Sequence, residues 1–193
     1  MPVICRPLRM ARTMVMNCLT AGDKAVDATA GNGRDTVFLA RLVGASGKVW
    51  AFDIQKDALI NTARLLESEN LKSHVSLVED GHEHLTHHVE DNLGAVMFNL
   101  GYLPGGDHRV ITRPSTTLIA LEAALKSLRQ GGIVTLIIYS GHPGGKEEED
   151  ALLQYAASLE QTKFTVLHYR MLNQINNPPS LLAIEKLALS DIT

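Results

Sequence analysis

Residues Ile133 to Tyr139 read Ile-Val-Thr-Leu-Ile-Ile-Tyr, an apolar run with no regular polar face. A strand of this kind has no side to give to water and needs cover on both faces. Helices crossing between parallel strands supply that cover. The rest of the chain carries the crossings. Hydrophobic runs set against glycine and proline breakers predict a helix over Arg6 to Thr20, a strand Lys24 to Ala28, a helix Arg34 to Val43, a strand Lys48 to Asp53, a helix Asp57 to Asn70 and a strand His74 to Val78. Strand Gly94 to Asn99, helix Pro114 to Gln130 closed by Gly131-Gly132, the opening strand itself, helix Lys146 to Glu160, and strands Phe164 to Tyr169 and Leu181 to Leu187 complete the order. The expected architecture is α/β, a mostly parallel sheet with helices on both faces. It forms one domain over residues 1–193, with a helical N-terminal segment over 1–20.

Composition narrows the function classes. With 45% apolar and 20% charged residues the chain can bury a full core, and a net charge of −3 argues against coating nucleic acid by bulk electrostatics. Arg6, Arg9 and Arg12 interrupt the first apolar runs, so no secretory leader or membrane span is expected and a soluble, cytoplasmic protein is. Cys5 and Cys18 lack companions at metal-ligand or disulfide spacings, and no metal is expected.

In a doubly covered sheet, ligands sit beyond the carboxyl ends of the strands. The first such end is Ala25-Val-Asp-Ala-Thr-Ala-Gly-Asn-Gly-Arg-Asp-Thr36. Gly31 and Gly33 let backbone approach a ligand closely, and the helix that follows offers unpaired N–H groups. Asp27, Ala28, Thr29, Asn32, Asp35 and Thr36 complete this candidate cofactor turn. The second end is Asp53-Ile54-Gln55, where a carboxylate 22 residues after Gly31 can accept both hydroxyls of a ribose. The third is Asp80-Gly81-His82. A dinucleotide fingerprint would need glycine where Thr36 stands, and Asp27 would face a pyrophosphate with negative charge. S-adenosylmethionine fits better, its amino group meeting Asp27, its ribose Asp53 and its adenine amino group Asp80.

Two stretches imitate motifs. Gly141-His-Pro-Gly-Gly-Lys-Glu147 is one residue short of a phosphate loop and has Glu147 where a hydroxyl should hold magnesium. His82, His84, His87 and His88 suggest a zinc helix, but Thr86 replaces its second histidine, and a solvated helix face is expected.

With DATAGNGRDT, AFDIQ, NLGYLPGGD, YSGHPGGKEEE and NQINNPPSLLAIEK in order from Ala25 to Lys186, the sequence resembles a small bacterial family long labelled rRNA methylases. Its members are S-adenosylmethionine-dependent tRNA 5-(aminomethyl)-2-thiouridine methyltransferases. The resemblance implies a class I, Rossmann-like methyltransferase fold with a seven-stranded sheet whose last strand is antiparallel. It also implies methylation of the exocyclic amine on the wobble uridine in the tRNA anticodon loop. Asn99-Leu-Gly-Tyr102 looks like a variant of the N-P-P-Y motif of amino-directed nucleic-acid methyltransferases, with Leu-Gly in place of Pro-Pro. By that resemblance the Asn99 side chain, which also borders the cofactor, and the Leu100 carbonyl accept from the target nitrogen, while Tyr102 packs on the base.

An alkyl amine is mostly protonated near neutral pH, so a base or a desolvating pocket must favour its neutral form. Asp107 and His108 are the candidate bases, against a turn-capping Asp and a surface His. Tyr139 and His142 after the fifth strand, and Asn173, Gln174, Asn176 and Pro178 after the sixth, suit recognition of splayed loop bases. Arg6, Arg9 and Arg12 would share a helix face able to touch phosphates, or simply a solvated one. A homodimer could widen the grip on tRNA. Competing readings are ribosomal RNA, a small amine or a protein as acceptor, a non-catalytic nucleotide-binding domain, and an NAD-linked oxidoreductase.

Overall fold

The structure, a computed structural model, describes residues 4–101 and 111–188. Helix α1 (Pro7–Cys18) leads into β1 (Lys24–Asp27), α2 (Arg34–Val43), β2 (Lys48–Asp53), α3 (Lys56–Ser68) and β3 (Val75–Glu79). After a 3-10 segment (His82–His87) come β4 (Leu93–Leu100), α4 (Pro114–Ser127), β5 (Leu128–Ile138), α5 (Gly145–Ala157), β6 (Phe164–Tyr169) and β7 (Ser180–Lys186). The described strands form one seven-stranded sheet in the order β3-β2-β1-β4-β5-β7-β6. β1 to β5 pair in parallel, and β7 inserts antiparallel between β5 and β6. The chain reverses direction across the sheet between β1 and β4, the switch point at which α/β sheets open a crevice.

The strand alternation divides the core. Val26 of β1, Val96, Phe98 and Leu100 of β4 and Val134, Leu136 and Ile138 of β5 point to one face, under Leu121, Ala124 and Leu152 of α4 and α5. Ala95, Met97, Ile133 and Ile137 point to the other, under Ala11 and Val15 of α1 and Leu39 and Val43 of α2. Both faces of β5 are buried, as the unbroken Ile-Val-Thr-Leu-Ile-Ile run requires. β6 is one edge of the sheet, and its middle residues are exposed.

The junction of α4 and β5 departs most from expectation. The α4 helix stops at Ser127, not Gln130, and β5 begins at Leu128, whose backbone is already extended. Between Leu128, paired with Leu93, and Ile133, paired with Ala95, the register shifts. A side chain at Gly132 would lie 2.9 Å from both Arg129 O and Leu93 O, so the chain folds tightly against β4 where only glycine fits. The Arg129 guanidinium fastens the bulge by donating to Cys18 O (2.9 Å) and Asp23 (3.1 Å).

Candidate active site at the strand ends

The turn after β1 is shaped by backbone conformation. Gly33, the N-cap of α2, sits at φ 79°, and Gly33 N donates to Ala30 O at 2.8 Å. The Thr62 hydroxyl of α3 donates to Gly31 O (3.0 Å), and Gly31 N donates to Asp53 Oδ2 (2.9 Å). The turn and the end of β2 therefore form one cradle. The Asp53 carboxylate also accepts from Gln55 N (2.9 Å) on Oδ1, so each oxygen holds one backbone N–H and keeps a lone pair for another donor. Burial raises the Asp53 carboxyl above its ordinary value, against the opposing pull of these backbone bonds. Ile54 beside it is 60% exposed, an apolar surface left uncovered. Asn32 is exposed on the turn, whereas Ala28 is buried and donates from its N–H to Met97 O.

Asp27, expected to face the ligand's ammonium, lies beneath the surface with 0% exposure. Its oxygens accept from Thr36 Oγ1 (2.6 Å) and Thr29 N (3.2 Å). The carboxylate thus staples the strand end to the first turn of α2 rather than opening on the crevice. Burial, then the neighbouring Asp35 charge, pushes its carboxyl up to about 7.

At the end of β3 three of the four histidines, His84, His87 and His88, are exposed as expected, while His82 turns inward. His82 is 9% exposed, with Nδ1 3.3 Å from Ala28 O and its ring edge-on to Phe98. Burial lowers its pKa. His84 Nδ1 and His88 Nε2 both donate to the Asp80 carboxylate, at 2.7 and 2.8 Å, and Gly81 N donates to it at 2.8 Å. The segment is a 3-10 turn kinked at His84, and this geometry folds both imidazoles back onto Asp80. Their bonds depress the Asp80 carboxyl well below the usual carboxylate range. An adenine amino group approaching Asp80 would share oxygens already engaged by these donors.

At the end of β4, Asn99 N donates to Thr29 Oγ1 (2.7 Å) and Asn99 Nδ2 donates to Asp35 Oδ2. Asp35, in the first turn of α2, is also held by Arg12 of α1, whose Nε and Nη2 reach Oδ1 at 2.8 and 2.6 Å. Arg12 therefore turns inward and does not extend a phosphate-facing stripe with Arg9. Leu100 is buried at 1% exposure. Gly101 and Thr112 pair across the segment between them: Gly101 N donates to Thr112 Oγ1 (2.9 Å) and Thr112 N to Gly101 O (3.0 Å). The Thr112 and Thr117 hydroxyls donate to the two oxygens of Glu148 at 2.7 and 2.6 Å, and Glu148 is 1% exposed. Tyr102, Asp107 and His108 lie outside the described residues.

Tyr139 follows β5 beside this site and is 41% exposed; burial, then the Asp35 charge, raises its phenol pKa. A Cβ at Gly101 would lie 3.6 Å from His142 Nε2 and 3.7 Å from Tyr139 Cβ, so both residues border the end of β4. A Cβ at Gly141 would in turn lie 3.8 Å from the Cβ of Asn177, in the loop after β6. In that loop Asn173, Gln174 and Asn176 are exposed and Pro178 is half-buried. Sequence reasoning missed Glu148, Thr112, Thr117 and the inward role of Arg12. Of the three glutamates opening α5, tertiary packing buries two, Glu148 under Thr112 and Thr117 and Glu149 against Ser180, whose hydroxyl donates to it at 3.0 Å.

Among the described residues no group of three or more His, Cys, Asp or Glu could hold a metal ion, and no helix is long and apolar enough to cross a membrane. The chain is 44% identical to a protein of Clostridium thermocellum described as a putative rRNA-methylase, covering 96% of this chain and 100% of that one with a TM-score of 0.94. A putative methyltransferase of Streptococcus mutans, solved in complex with SAH, is also 44% identical over 96% of this chain and 100% of its own, with a TM-score of 0.88. The tRNA (mnm(5)s(2)U34)-methyltransferase, chloroplastic, of Arabidopsis thaliana is 40% identical over 163 residues, 79% of this chain. The chain spans 60% of that relative's length. A family profile matches residues 49–185, most of the chain, and the protein belongs to the family described as "Putative rRNA methylase".

Proposed function

We propose that the protein is an S-adenosylmethionine-dependent methyltransferase acting on the primary amine of 5-aminomethyl-2-thiouridine at the wobble position of tRNA. The observation that carries this reading is the shared edge of nucleotide cradle and amide. The Gly31–Asp53 cradle and the Asn99 carboxamide occupy neighbouring strand ends, tied together through the Asn99 N to Thr29 Oγ1 bond. The name of the plant relative supports the acceptor, and the SAH complex of the Streptococcus mutans relative supports the donor.

Asp53 would take the two ribose hydroxyls on its remaining lone pairs, with Ile54 against the base and Gln55 N–H holding the carboxylate in place. Gly31, Asn32 and Gly33 would let the donor approach the turn, and Asp80, Gly81 and His82 would border the adenine. When bound, the donor supplies a methyl carbon on a cationic sulfur. Transfer is an in-line displacement in which the N–C bond forms as the C–S bond breaks, so the protein's task is to orient a neutral amine. The Asn99 oxygen and the Leu100 carbonyl would accept its N–H groups, Tyr102 would cover the base, and Asp107 or His108 would take the proton. If Asp107→Asn and His108→Ala both keep full turnover at pH 7, neither is that base. Tyr139, His142, Asn173, Gln174, Asn176 and Pro178 would meet the anticodon loop, whose unstacked bases suit amide and ring contacts.

Nucleoside mass spectrometry of tRNA from a deletion strain tests the proposal. Loss of methylaminomethyl-thiouridine with accumulation of the aminomethyl form is expected, and an unchanged profile refutes the acceptor. Thermal stabilisation of the purified protein by S-adenosylmethionine but not NAD is expected, and the reverse would refute the donor.

A further inference from the structure

Asn99 does not choose its own orientation. A carboxylate can only accept, so the Asn99 atom facing Asp35 Oδ2 is the amide nitrogen, and the amide oxygen is turned the other way. Asp35 is fixed in turn from α1. Arg12 holds Oδ1 through two nitrogens, at 2.8 and 2.6 Å, and lies 5.2 Å from the centre of the Phe38 ring. The Asp35 side chain is 8% exposed and that of Arg12 33%, so the pair is shielded more than a surface ion pair. The other arm of the arrangement is the Thr29 hydroxyl on Asn99 N, which sets the backbone while Asp35 sets the side chain.

We propose that Arg12 and Asp35 are positioning residues that lock the Asn99 carboxamide with its oxygen toward the acceptor amine. The proposal rests on the reading above that Asn99 accepts from that amine. The lock has a reason in the chemistry. A carboxamide flipped by half a turn would present N–H to the amine's lone pair, occupying the electrons that must attack the methyl carbon. Because Arg12 is donor-only and Asp35 acceptor-only, the chain of donors runs in one direction, from guanidinium and amide toward the carboxylate, and only one Asn99 rotamer satisfies it.

Variants can reverse the polarity. In Asp35→Asn the new amide must turn its oxygen to Arg12, which leaves its NH2 facing Asn99 and forces Asn99 to flip. The expected result is a fall in kcat of about 100-fold, the size of loss that misplacing a reacting group by about 1 Å causes, with little change in the Kd for S-adenosylhomocysteine. Adding Arg12→Ala frees the introduced amide to rotate and offer its oxygen to Asn99, so the double variant should regain much of the lost kcat. A merely structural role predicts the opposite, since removing a second partner from a packed site would lower turnover further. A double variant no faster than Asp35→Asn overturns the proposal. The side-chain amide resonances of Asn99 give a readout that needs no acceptor: slowed exchange and a displaced shift in the wild type, both lost in Asp35→Asn. Unmoved Asn99 resonances in that variant also overturn the lock. Failure to methylate the wobble uridine would instead refute the function reading while leaving the resonance result intact.

Discussion

Substituting Glu148 by glutamine should loosen the end of β4 by a calculable amount. Two hydroxyls donate to this carboxylate, Thr112 at 2.7 Å and Thr117 at 2.6 Å, and the side chain is 1% exposed, so water cannot replace either bond. Glutamine keeps one acceptor oxygen and puts an NH2 where the other was. If that NH2 faces Thr112, the threonine oxygen receives two N–H groups, one of them from Gly101, and its own hydrogen loses its acceptor. A hydrogen bond to a charged group contributes about 1.5–3 kcal/mol, so the loss of one puts the cost near 2 kcal/mol. At roughly 2–4 °C per kcal/mol for a chain of this size, the melting temperature should drop by about 4–8 °C. Thermal unfolding followed by circular dichroism at pH 7 measures it. Thr112→Val tests the coupling: it should cost less in the Glu148→Gln background than in the wild type, because its bond to residue 148 is already broken there, while the Gly101 N–H loses its acceptor in both. A Glu148→Gln protein that melts within about 1 °C of the wild type would refute the carboxylate's role as a double acceptor.

Gly33→Ala should cost stability and ligand affinity together. Its φ of 79° is strained for an L-residue by roughly 1–2 kcal/mol, and the added Cβ would meet Thr62 Cα and Oγ1 at 3.0 Å; calorimetry with S-adenosylhomocysteine and a melting curve read both effects. Asp53→Ala should weaken S-adenosylhomocysteine at least about tenfold, the loss of one or two charge-assisted hydrogen bonds, while kcat at saturating donor changes little; unchanged affinity would remove Asp53 from the site. His84→Ala should matter only at acid pH. Asp80, by its hydrogen bond and then its charge, raises the His84 pKa above 6.5, so this contribution is full below pH 6.5 and vanishes as pH rises through the elevated value. Asp80's own depressed carboxyl keeps its share down to pH values below 3.8. Melting temperatures should differ from wild type at pH 5.5 and converge at pH 9; a difference that persists at pH 9 counts against the ion pair.

The parts legible in the sequence were those whose cause is local. Burial on two faces leaves its mark on Ile133 to Ile138 directly, and a carboxylate closing a strand, as Asp53 does, falls at the ligand end of any parallel sheet. What escaped depends on how elements dock. The spacing of Arg6, Arg9 and Arg12 gives their positions around a helix but not which side of it meets α2, so Arg12 read as a surface cation and is instead the partner of Asp35. Asp27 was identified as chemically special, yet its depth depends on Thr36 folding over it. The histidines after β3 looked like one face of an α-helix because a 3-10 turn of this length has no periodic signature. Arg129 and Gln130, polar and adjacent to two glycines, hid the true start of β5 for the same reason: a bulge is specified by contacts with β4, not by composition.

The seating of α1 ties the order of folding to the order of synthesis. That helix, residues 7–18, seats against β5 and β7, and the Tyr169 hydroxyl closes over it by donating to Cys5 O at 2.8 Å. β7, residues 180–186, is the last described strand along the chain and lies between β5 and the edge strand β6. Helix α1 therefore waits for β5 and β7, which follow it at long sequence separation, before its seat is complete, and contacts of that kind form late. Arg12 reaches Asp35 only from that seat, so the Asp35 contact with Asn99 is fixed later than the turn that joins Gly31, Asp53 and Thr62.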